Sequence, residues 1–226
     1  MTLPSSLGIL GGSFNPVHRD HILMALKARD KLKLDRVLFV VNASPDYKNT
    51  VGVSYQDRRA MLELAIKDYP FFEISDLEKD ASVHHYTYDT LSALRSQYGP
   101  SERMFFIMGT DSLLYLDEWK RGLELTSLSN LVVVGRRGHL QRELKPVIKS
   151  FLDENGIDEG RSDFEKALAD PKGHCFMLKN SLHLVSSRAI REEIGITPNG
   201  PLAGEYLTDE VREYALSHHL YDRRRD

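Results

Sequence analysis

The chain has 226 residues, 41% of them hydrophobic and 28% charged, and a formal net charge of −3. This length fits a globular protein with a sizeable core, and the near-neutral charge argues against a general nucleic-acid binder, which usually carries a basic excess. No apolar run is long enough to cross a membrane, and the first residues lack the pattern of a signal peptide. The single cysteine, Cys175, cannot form an internal disulfide, so we expect a cytoplasmic protein with Cys175 in its core.

The first predicted strand, residues 7–10, leads into a glycine turn and then into a helical segment at residues 22–32. Two adjacent glycines, Gly11 and Gly12, allow a sharp turn and a close approach of the backbone to a ligand. The free amides and the positive dipole end of a helix start suit an anion. His18 and His21 are three residues apart, so they share one face of a first helical turn and can point at one phosphate.

Two other interpretations of this histidine pair are open. A loop with two solvated histidines is the ordinary one, but the combination of strand, Gly-Gly, aromatic residue, proline and His-x-x-His is much more specific than its parts. Zinc binding is the other, and we rank it low because only Asp20 stands nearby as a further ligand type.

Strands and helices alternate along the rest of the chain. Dense apolar runs predict buried strands at residues 36–41, 71–74, 104–108, 131–134 and 174–178. Apolar periodicity predicts helices at residues 55–67, 88–98, 145–152, 163–169, 186–194 and 208–218. The alternation predicts a doubly wound α/β fold with a mostly parallel sheet. We expect one domain over residues 1–226, with residues 140–173 as a candidate insertion and residues 186–226 as a small C-terminal helical part.

A second candidate anion site lies at residues 186–191. Ser186 and Ser187 stand at a predicted helix start, where backbone amides are free. Arg188 and Arg191 are three residues apart, on one face of that helix. Hydroxyls, amides and guanidinium groups together form a phosphate cradle. An ordinary serine N-cap with surface arginines is the alternative, and the presence of the first motif favours the functional interpretation.

A third candidate group follows the predicted strand at residues 104–108. Gly109 and Asp111 come directly after this strand, where they can hydrogen-bond a ribose. Trp119, the only tryptophan, follows eight residues after Asp111. From the residues alone, a buried aromatic anchor is the ordinary interpretation of Trp119.

These segments resemble a known family. Residues 11–21 are similar to the G-G-[ST]-F-[DN]-P-x-H-x-x-H signature of the HIGH nucleotidyltransferases, and most similar to its form in nicotinate and nicotinamide mononucleotide adenylyltransferases. Residues 186–191 resemble the family's I-S-[ST]-[ST]-x-[IL]-R motif, and residues 109–119 resemble its G-x-D-x(7)-W pattern. The resemblance covers most of the chain, is weakest at residues 140–173, and implies a Rossmann-like nucleotidyltransferase fold.

The resemblance also implies an activity, the transfer of the adenylyl group of ATP to nicotinate mononucleotide with release of pyrophosphate. It implies catalytic roles for His18 and His21, stacking of Trp119 on the pyridine ring, and Mg²⁺ that arrives on the ATP phosphates without a protein metal cage. The implied ATP-binding residues are Gly11, Gly12, Ser13, Phe14, Gly109, Asp111, Ser186, Ser187, Arg188 and Arg191. The implied mononucleotide-binding residues are Asn42, Lys48, Thr87, Trp119 and Arg136.

The sequence departs from the family pattern at a few positions. Asp20 stands where the bacterial enzymes usually have glycine, and a carboxylate there repels a triphosphate unless it points away or pairs with a cation such as Arg19. Arg188 replaces a small hydroxyl residue, and we expect it to add a cation at the β- and γ-phosphates. In the loop after the second strand, Asp46 and Tyr47 replace the usual proline and histidine.

Several alternatives remain at this stage. A cytidylyl- or phosphopantetheine adenylyltransferase usually has a shorter motif and lacks the Gly-x-Asp…Trp pattern. A class I aminoacyl-tRNA synthetase fragment should carry a Lys-Met-Ser-Lys-Ser-like loop, which is absent here. A nucleotide-binding module without turnover would keep the fold alone. The sequence leaves the oligomeric state open, and it does not separate nicotinate from nicotinamide mononucleotide, although the loop and tail favour the acid.

Overall fold

The computed structural model describes residues 5–43, 53–136, 144–182 and 185–222, without the side chains of residues 136 and 180–182. The chain divides into two compact units. The first comprises Met1–Gly11, Met24–Leu38 and His85–His183, and the second comprises Gly12–Leu23, Phe39–His84 and Leu184–Asp226.

In the described part of the chain, seven strands form one sheet in the order β3-β2-β1-β4-β5-β7-β6. The pairings of β1 with β4, β4 with β5, β5 with β7 and β6 with β7 are all parallel. The strands are β1 (Ser6–Gly12), β2 (Arg36–Val41), β3 (Phe72–Ser75), β4 (Arg103–Gly109), β5 (Asn130–Arg136), β6 (Gly156–Asp158) and β7 (Cys175–Leu182). The strand order and the parallel pairings confirm the predicted doubly wound fold.

The helices that follow these strands lie close to the predicted positions. Short 3₁₀ turns at Leu116–Glu118 and Gly122–Ser127 precede β5. The helices are α1 (Arg19–Leu32), α2 (Tyr55–Ile66), α3 (Thr87–Tyr98), α4 (Thr110–Leu113), α5 (Pro146–Asn155), α6 (Phe164–Ala167), α7 (Ser187–Ile194), α8 (Pro201–Tyr206) and α9 (Asp209–Ser217).

The central strands are buried along their length because both faces of a parallel sheet are covered. Every residue of β4 is buried, and in the register Ile107 of β4 lies beside Leu10 of β1 and Val132 of β5. Cys175, at the start of β7, is also buried, as expected for a small core residue. Burial raises the pKa of its thiol to about 12, so the sulfur stays neutral.

Two elements that the sequence analysis missed have local causes. Strand β6 has three residues, pairs with β7, and lies between the helices predicted at residues 145–152 and 163–169. Helix α8 begins at Pro201 without a Ser, Thr, Asp or Asn before it. Instead the Glu193 carboxylate accepts the amides of Leu202 and Ala203 at 3.1 and 2.8 Å. The cap comes from the preceding helix, so the sequence itself offers only Gly200 and Pro201 as signals of this helix start.

Among the described residues, no helix has both the length and the apolar composition needed to cross a membrane.

Candidate active site

The loop after β1 has a constrained backbone. Strand β1 extends through Gly12, beyond the predicted residues 7–10, so the turn begins at Ser13. Phe14 has a φ of 46°, which is unusual for an aromatic residue, and its buried ring packs against His21 with centroids 5.2 Å apart. A Cβ on Gly12 would lie 3.1 Å from the Phe14 ring. A side chain at position 12 would therefore be tightly packed, and the Phe14 ring would have to shift by a few tenths of an ångström to admit it.

His18 and His21 lie side by side at the start of α1. Their ring centroids are 3.8 Å apart, and the His18 ring is almost fully buried. His18 precedes the first helical residue, and its amide donates to Nδ1 of His21 at 3.2 Å, while the His21 amide donates to the His18 carbonyl at 2.9 Å. The bond from the His18 amide to the His21 side chain is one half of a capping box, while the other bond is an ordinary backbone turn. Because Nδ1 of His21 accepts this bond, a neutral ring carries its proton on Nε2 and can donate it.

The α7 serines occupy the predicted helix start, and one of them reaches the loop after β1. Ser186 is the N-cap of α7, and its Oγ accepts the amide of Ala189 at 3.2 Å. The Ser187 hydroxyl donates to the carbonyl of Pro16 at 3.0 Å. The two phosphate-binding motifs predicted from the sequence are therefore in direct contact.

The two arginines of α7 have different surroundings. Arg191 is half-buried, and its Nη1 donates to the carbonyl of Asn15 at 2.5 Å. Burial lowers the pKa of Arg191. The Arg188 side chain is 80% exposed and pairs with Glu192 at 2.9 Å, and this hydrogen bond raises the pKa of Arg188. Arg188 thus faces solvent, whereas Arg191 supports the loop that carries the histidines.

Sequence reasoning missed Arg58, which joins the loop after β1 to the loop after β2. Its guanidinium is buried, and it donates to the carbonyls of Ser13, Asn42 and Ala43 at 2.6, 2.7 and 3.2 Å. Burial lowers its pKa. One signal was available: Arg58 precedes Met61 and Leu62 by three and four residues, so it falls on the apolar face of α2.

The carboxylate of Asp20 lies in a buried position near α8. Asp20 is fully buried in the first turn of α1, while Arg19 is exposed. Burial and the Glu205 carboxylate raise the pKa of the Tyr206 phenol, and the charge of Asp20 adds to this rise. An acidic residue in a first turn is favoured by the helix dipole.

The first compact unit contains the third predicted group. Gly109 is the last residue of β4, one position beyond the predicted strand, and Thr110 and Asp111 begin the short helix α4. The Trp119 ring is partly exposed and meets the Phe106 ring edge-on, with centroids 6.4 Å apart. Gly11 also belongs to this unit, and a Cβ placed there would meet only the Phe106 ring, at 3.7 Å.

The segment after Trp119 is joined to the start of α3, where Thr87 is the first residue. Lys120 pairs with Asp89 at 2.8 Å and lies 4.7 Å from the centre of the Tyr86 ring. The Arg121 guanidinium lies 3.9 Å from the centre of the Tyr88 ring. Thr87 and Trp119 are therefore on neighbouring segments, as the resemblance implies for a shared substrate.

Three other predicted residues are less defined. The backbone of Asn42 is anchored by its amide on the Gly12 carbonyl at 3.0 Å. The predicted strand ends at residue 134, before Arg136, whereas β5 extends to Arg136 as its last residue; the Arg136 side chain lies outside the described part of the structure. Lys48 also lies outside the described residues. Within the described part, no group of three or more His, Cys, Asp or Glu side chains could hold a metal ion.

Comparison with known proteins identifies the family. Residues 9–193 match the cytidylyltransferase-like family model. The "Probable nicotinate-nucleotide adenylyltransferase" of Syntrophotalea carbinolica is 43% identical over 217 residues, which cover 95% of this chain and 96% of the relative. The protein of the same name from Citrifermentans bemidjiense is 41% identical over 218 residues, which cover 95% and 97%.

The chain belongs to the nicotinate-nucleotide adenylyltransferase family. A solved structure shares this fold: Plasmodium falciparum nicotinic acid mononucleotide adenylyltransferase in complex with NaAD superimposes with a TM-score of 0.74 at 19% identity, covering 96% of this chain and 97% of that one. The residues matched by the family model include His18, His21 and the α7 serines. Membership of the nicotinate-nucleotide adenylyltransferase family replaces the alternative interpretation of the chain as a fragment of an aminoacyl-tRNA synthetase.

Proposed function

We propose that this chain transfers the adenylyl group of ATP to nicotinate mononucleotide, giving nicotinate adenine dinucleotide and pyrophosphate for NAD biosynthesis. The observation that carries this proposal is the contact between its two phosphate motifs. Ser187 and Arg191 of α7 bond the backbone of the loop that leads to His18 and His21. The two relatives that are 41% and 43% identical to this chain are both named as probable nicotinate-nucleotide adenylyltransferases, which supports this activity.

The reaction needs no general base. The attacking group is a phosphate oxygen of the mononucleotide, which is already an anion at neutral pH. The protein has to align this oxygen with the α-phosphate of ATP and stabilise the charge that develops on the leaving pyrophosphate. No covalent intermediate with the protein is required.

We assign His18 and His21 to the ATP phosphates, with His21 nearest the α-phosphate and the bridging oxygen. Its Nδ1 is already engaged by the His18 amide, so Nε2 is the atom that donates to a phosphate oxygen. The family signature places the backbone of Gly11, Gly12, Ser13 and Phe14 against the nucleotide.

The start of α7 is assigned to the leaving pyrophosphate. The Ser187 hydroxyl donates its proton to the Pro16 carbonyl. The Ser186 hydroxyl oxygen accepts the Ala189 amide, so its own proton is available to a phosphate oxygen. Ser186 is therefore the better direct donor of the two. Arg188 is exposed enough to turn from Glu192 toward a polyphosphate, and Arg191 completes the basic side of the helix.

In the first compact unit, we assign Gly109 and Asp111 to the ribose and Trp119 to the pyridine ring. The partial exposure of Trp119 supports stacking, because a fully buried ring would offer no free face. Thr87 contributes to the nicotinate carboxylate, and Asn42, Lys48 and Arg136 contribute to the mononucleotide phosphate side.

The nucleotide substrate is MgATP, in which Mg²⁺ is held by phosphate oxygens and water. The proposal includes a cytoplasmic location, supported by a single buried cysteine and hence no internal disulfide.

The test is to incubate the purified protein with MgATP and nicotinate mononucleotide and to separate the products by chromatography. We expect dinucleotide and pyrophosphate in equal amounts. A His18→Ala, His21→Ala double variant prepared in parallel controls for contaminating enzymes. Binding of ATP without any dinucleotide would reject the proposal in favour of a nucleotide-binding module.

A further inference from the structure

The loop that carries the histidines is held by side chains from two distant parts of the chain, and neither belongs to the signature motifs. Arg58 comes from α2, and Tyr221 lies just after α9. We propose that Arg58 and Tyr221 are positioning residues, which set the catalytic geometry of the His18–His21 pair through backbone and amide contacts in residues 13–15. This inference rests on the proposed function of that pair.

Arg58 connects the loop after β1 with the loop after β2. One nitrogen, Nη1, donates both to the Ser13 carbonyl after β1 and to the Asn42 carbonyl after β2, while Nη2 donates to Ala43. The Arg58 side chain is 1% exposed, so water cannot replace these bonds. A planar guanidinium is needed to reach three carbonyls from one side chain, and a lysine ammonium at the same position cannot match that geometry.

Tyr221 fixes the side chain of Asn15. Its hydroxyl donates to Oδ1 of Asn15 at 2.7 Å, in a buried contact that joins residues 206 positions apart. The Asn15 residue is 1% exposed, and among the described residues its Nδ2 atom has no hydrogen-bond partner. The Tyr221 hydroxyl therefore orients this amide by itself in the described part of the chain.

The two contacts act on neighbouring residues of one short segment. Arg58 bonds Ser13, Tyr221 bonds Asn15, and the Phe14 between them has the left-handed backbone and packs its ring on His21. A shift at Ser13 or Asn15 therefore moves the Phe14 ring and, with it, the His21 ring. Geometric errors of about 1 Å in an active site can cost about a hundredfold in rate.

The chain offers a matched control for each residue. Arg95 also uses its guanidinium on backbone carbonyls, those of Leu128, Gly99, Glu102 and Pro171, none of which is a predicted site residue. Tyr214 of α9 donates its hydroxyl to Asp57 at 3.1 Å. Arg95→Lys and Tyr214→Phe therefore remove comparable hydrogen bonds without touching residues 13–15.

The experiment measures kcat and both KM values for the four single variants, together with their melting temperatures, at a temperature where all are folded. We expect Arg58→Lys to lower kcat by about tenfold to a hundredfold and to raise both KM values, because both substrate loops shift. Tyr221→Phe should lower kcat by about threefold to tenfold with the mononucleotide KM unchanged, because Asn15 belongs to the histidine loop alone. The controls should lose stability but keep the wild-type kcat.

Wild-type kinetic constants in both Arg58→Lys and Tyr221→Phe, with stability losses like those of the controls, would overturn the positioning role and leave the proposed function intact. ATP binding measured by calorimetry provides a readout that needs no turnover. If the wild type binds ATP but forms no dinucleotide, the proposed function fails, and weaker ATP binding by Arg58→Lys than by Arg95→Lys still supports the positioning role. A wild-type protein with neither turnover nor ATP binding would overturn both.

Discussion

The hydroxyl of Ser187 donates to the carbonyl of Pro16 at 3.0 Å, a contact that joins two motifs 171 residues apart in the sequence. One motif carries the histidine pair and the other carries the N-terminus of α7. Their direct contact allows one triphosphate to receive donors from both, which is the arrangement an adenylyl transfer requires.

This contact predicts that Ser187→Ala lowers kcat by about tenfold, since the loop loses one of its anchors. Steady-state kinetics with MgATP and nicotinate mononucleotide test this. Ser96→Ala is the matched control, because the Ser96 hydroxyl also donates to a backbone carbonyl, that of Ser92, on an exposed helix face. Equal kcat values in the two variants would show that the Ser187 contact has no part in catalysis.

We predict that His21→Ala lowers kcat by about a hundredfold to a thousandfold while the protein stays folded, because a preorganised donor to the developing charge is lost. Circular dichroism and melting temperature verify the fold. His174→Ala is a suitable comparison, since that ring pairs with Asp170 and belongs to none of the predicted sites. A folded, fully active His21→Ala protein would remove His21 from the mechanism.

Arg188→Ala should raise the KM for ATP several-fold and leave the mononucleotide KM unchanged, because the proposal assigns this cation to the β- and γ-phosphates. The present Arg188–Glu192 pair is exposed, and exposed ion pairs contribute little, so it opposes the switch to phosphate only weakly. The measurement is ATP saturation at fixed mononucleotide. An unchanged ATP KM would place Arg188 outside the site.

Trp119 gives a direct optical test of the mononucleotide site, because it is the only tryptophan in the chain. Stacking of a pyridine ring on its partly exposed indole should quench the fluorescence as nicotinate mononucleotide is added. The Trp119→Phe variant should bind more weakly, since a smaller ring keeps less of the stacking surface. A saturating mononucleotide that leaves the emission of the wild type unchanged would argue against stacking.

We predict that the hydrogen bonds of Asp35 contribute to the free energy of unfolding and that this contribution is lost in acid. The amide and hydroxyl of Ser6 donate to its carboxylate at 2.8 and 2.9 Å, and these bonds hold the pKa of Asp35 below its ordinary 3.8. The contribution is therefore complete above pH 3.8 and is lost as the pH falls through the lower, folded-state pKa.

Urea unfolding of the wild type and of Asp35→Asn between pH 6 and pH 3 measures this effect. The difference in the free energy of unfolding between the two proteins should be constant near pH 6 and should shrink toward pH 3. Asp30→Asn, in the exposed part of α1, serves as the control. A difference that grows on acidification would have the wrong sign for this contact.

Much of the fold was accessible from the sequence because buried parallel strands leave continuous apolar runs. The run Met104–Met108 lies within β4, and the run at residues 131–134 lies within β5. Strand β6 was not accessible, since three residues carry too little pattern and its pairing partner β7 lies 19 residues along the chain. Helix α8 was missed because its cap is a glutamate side chain from α7.

Some residues of the candidate site were predictable from the sequence, and others were not. The histidines and the α7 serines were predictable, because their spacing is tied to a helix start, a position that suits anions. Arg58 and Tyr221 were not singled out, since they act on backbone carbonyls and on one amide whose positions depend on the folded chain. The tertiary contact between Tyr221 and Asn15 leaves no spacing pattern in the sequence.

The most direct test of the central claim is pyrophosphate release from MgATP, measured with nicotinate mononucleotide and, separately, with nicotinamide mononucleotide. The account predicts rapid release with the acid form and a much lower kcat/KM with the amide form. A preference for the amide would keep the mechanism and contradict the assigned substrate. No release with either mononucleotide, from a protein that is folded, would contradict the claim that the two joined phosphate motifs form an adenylyl-transfer site.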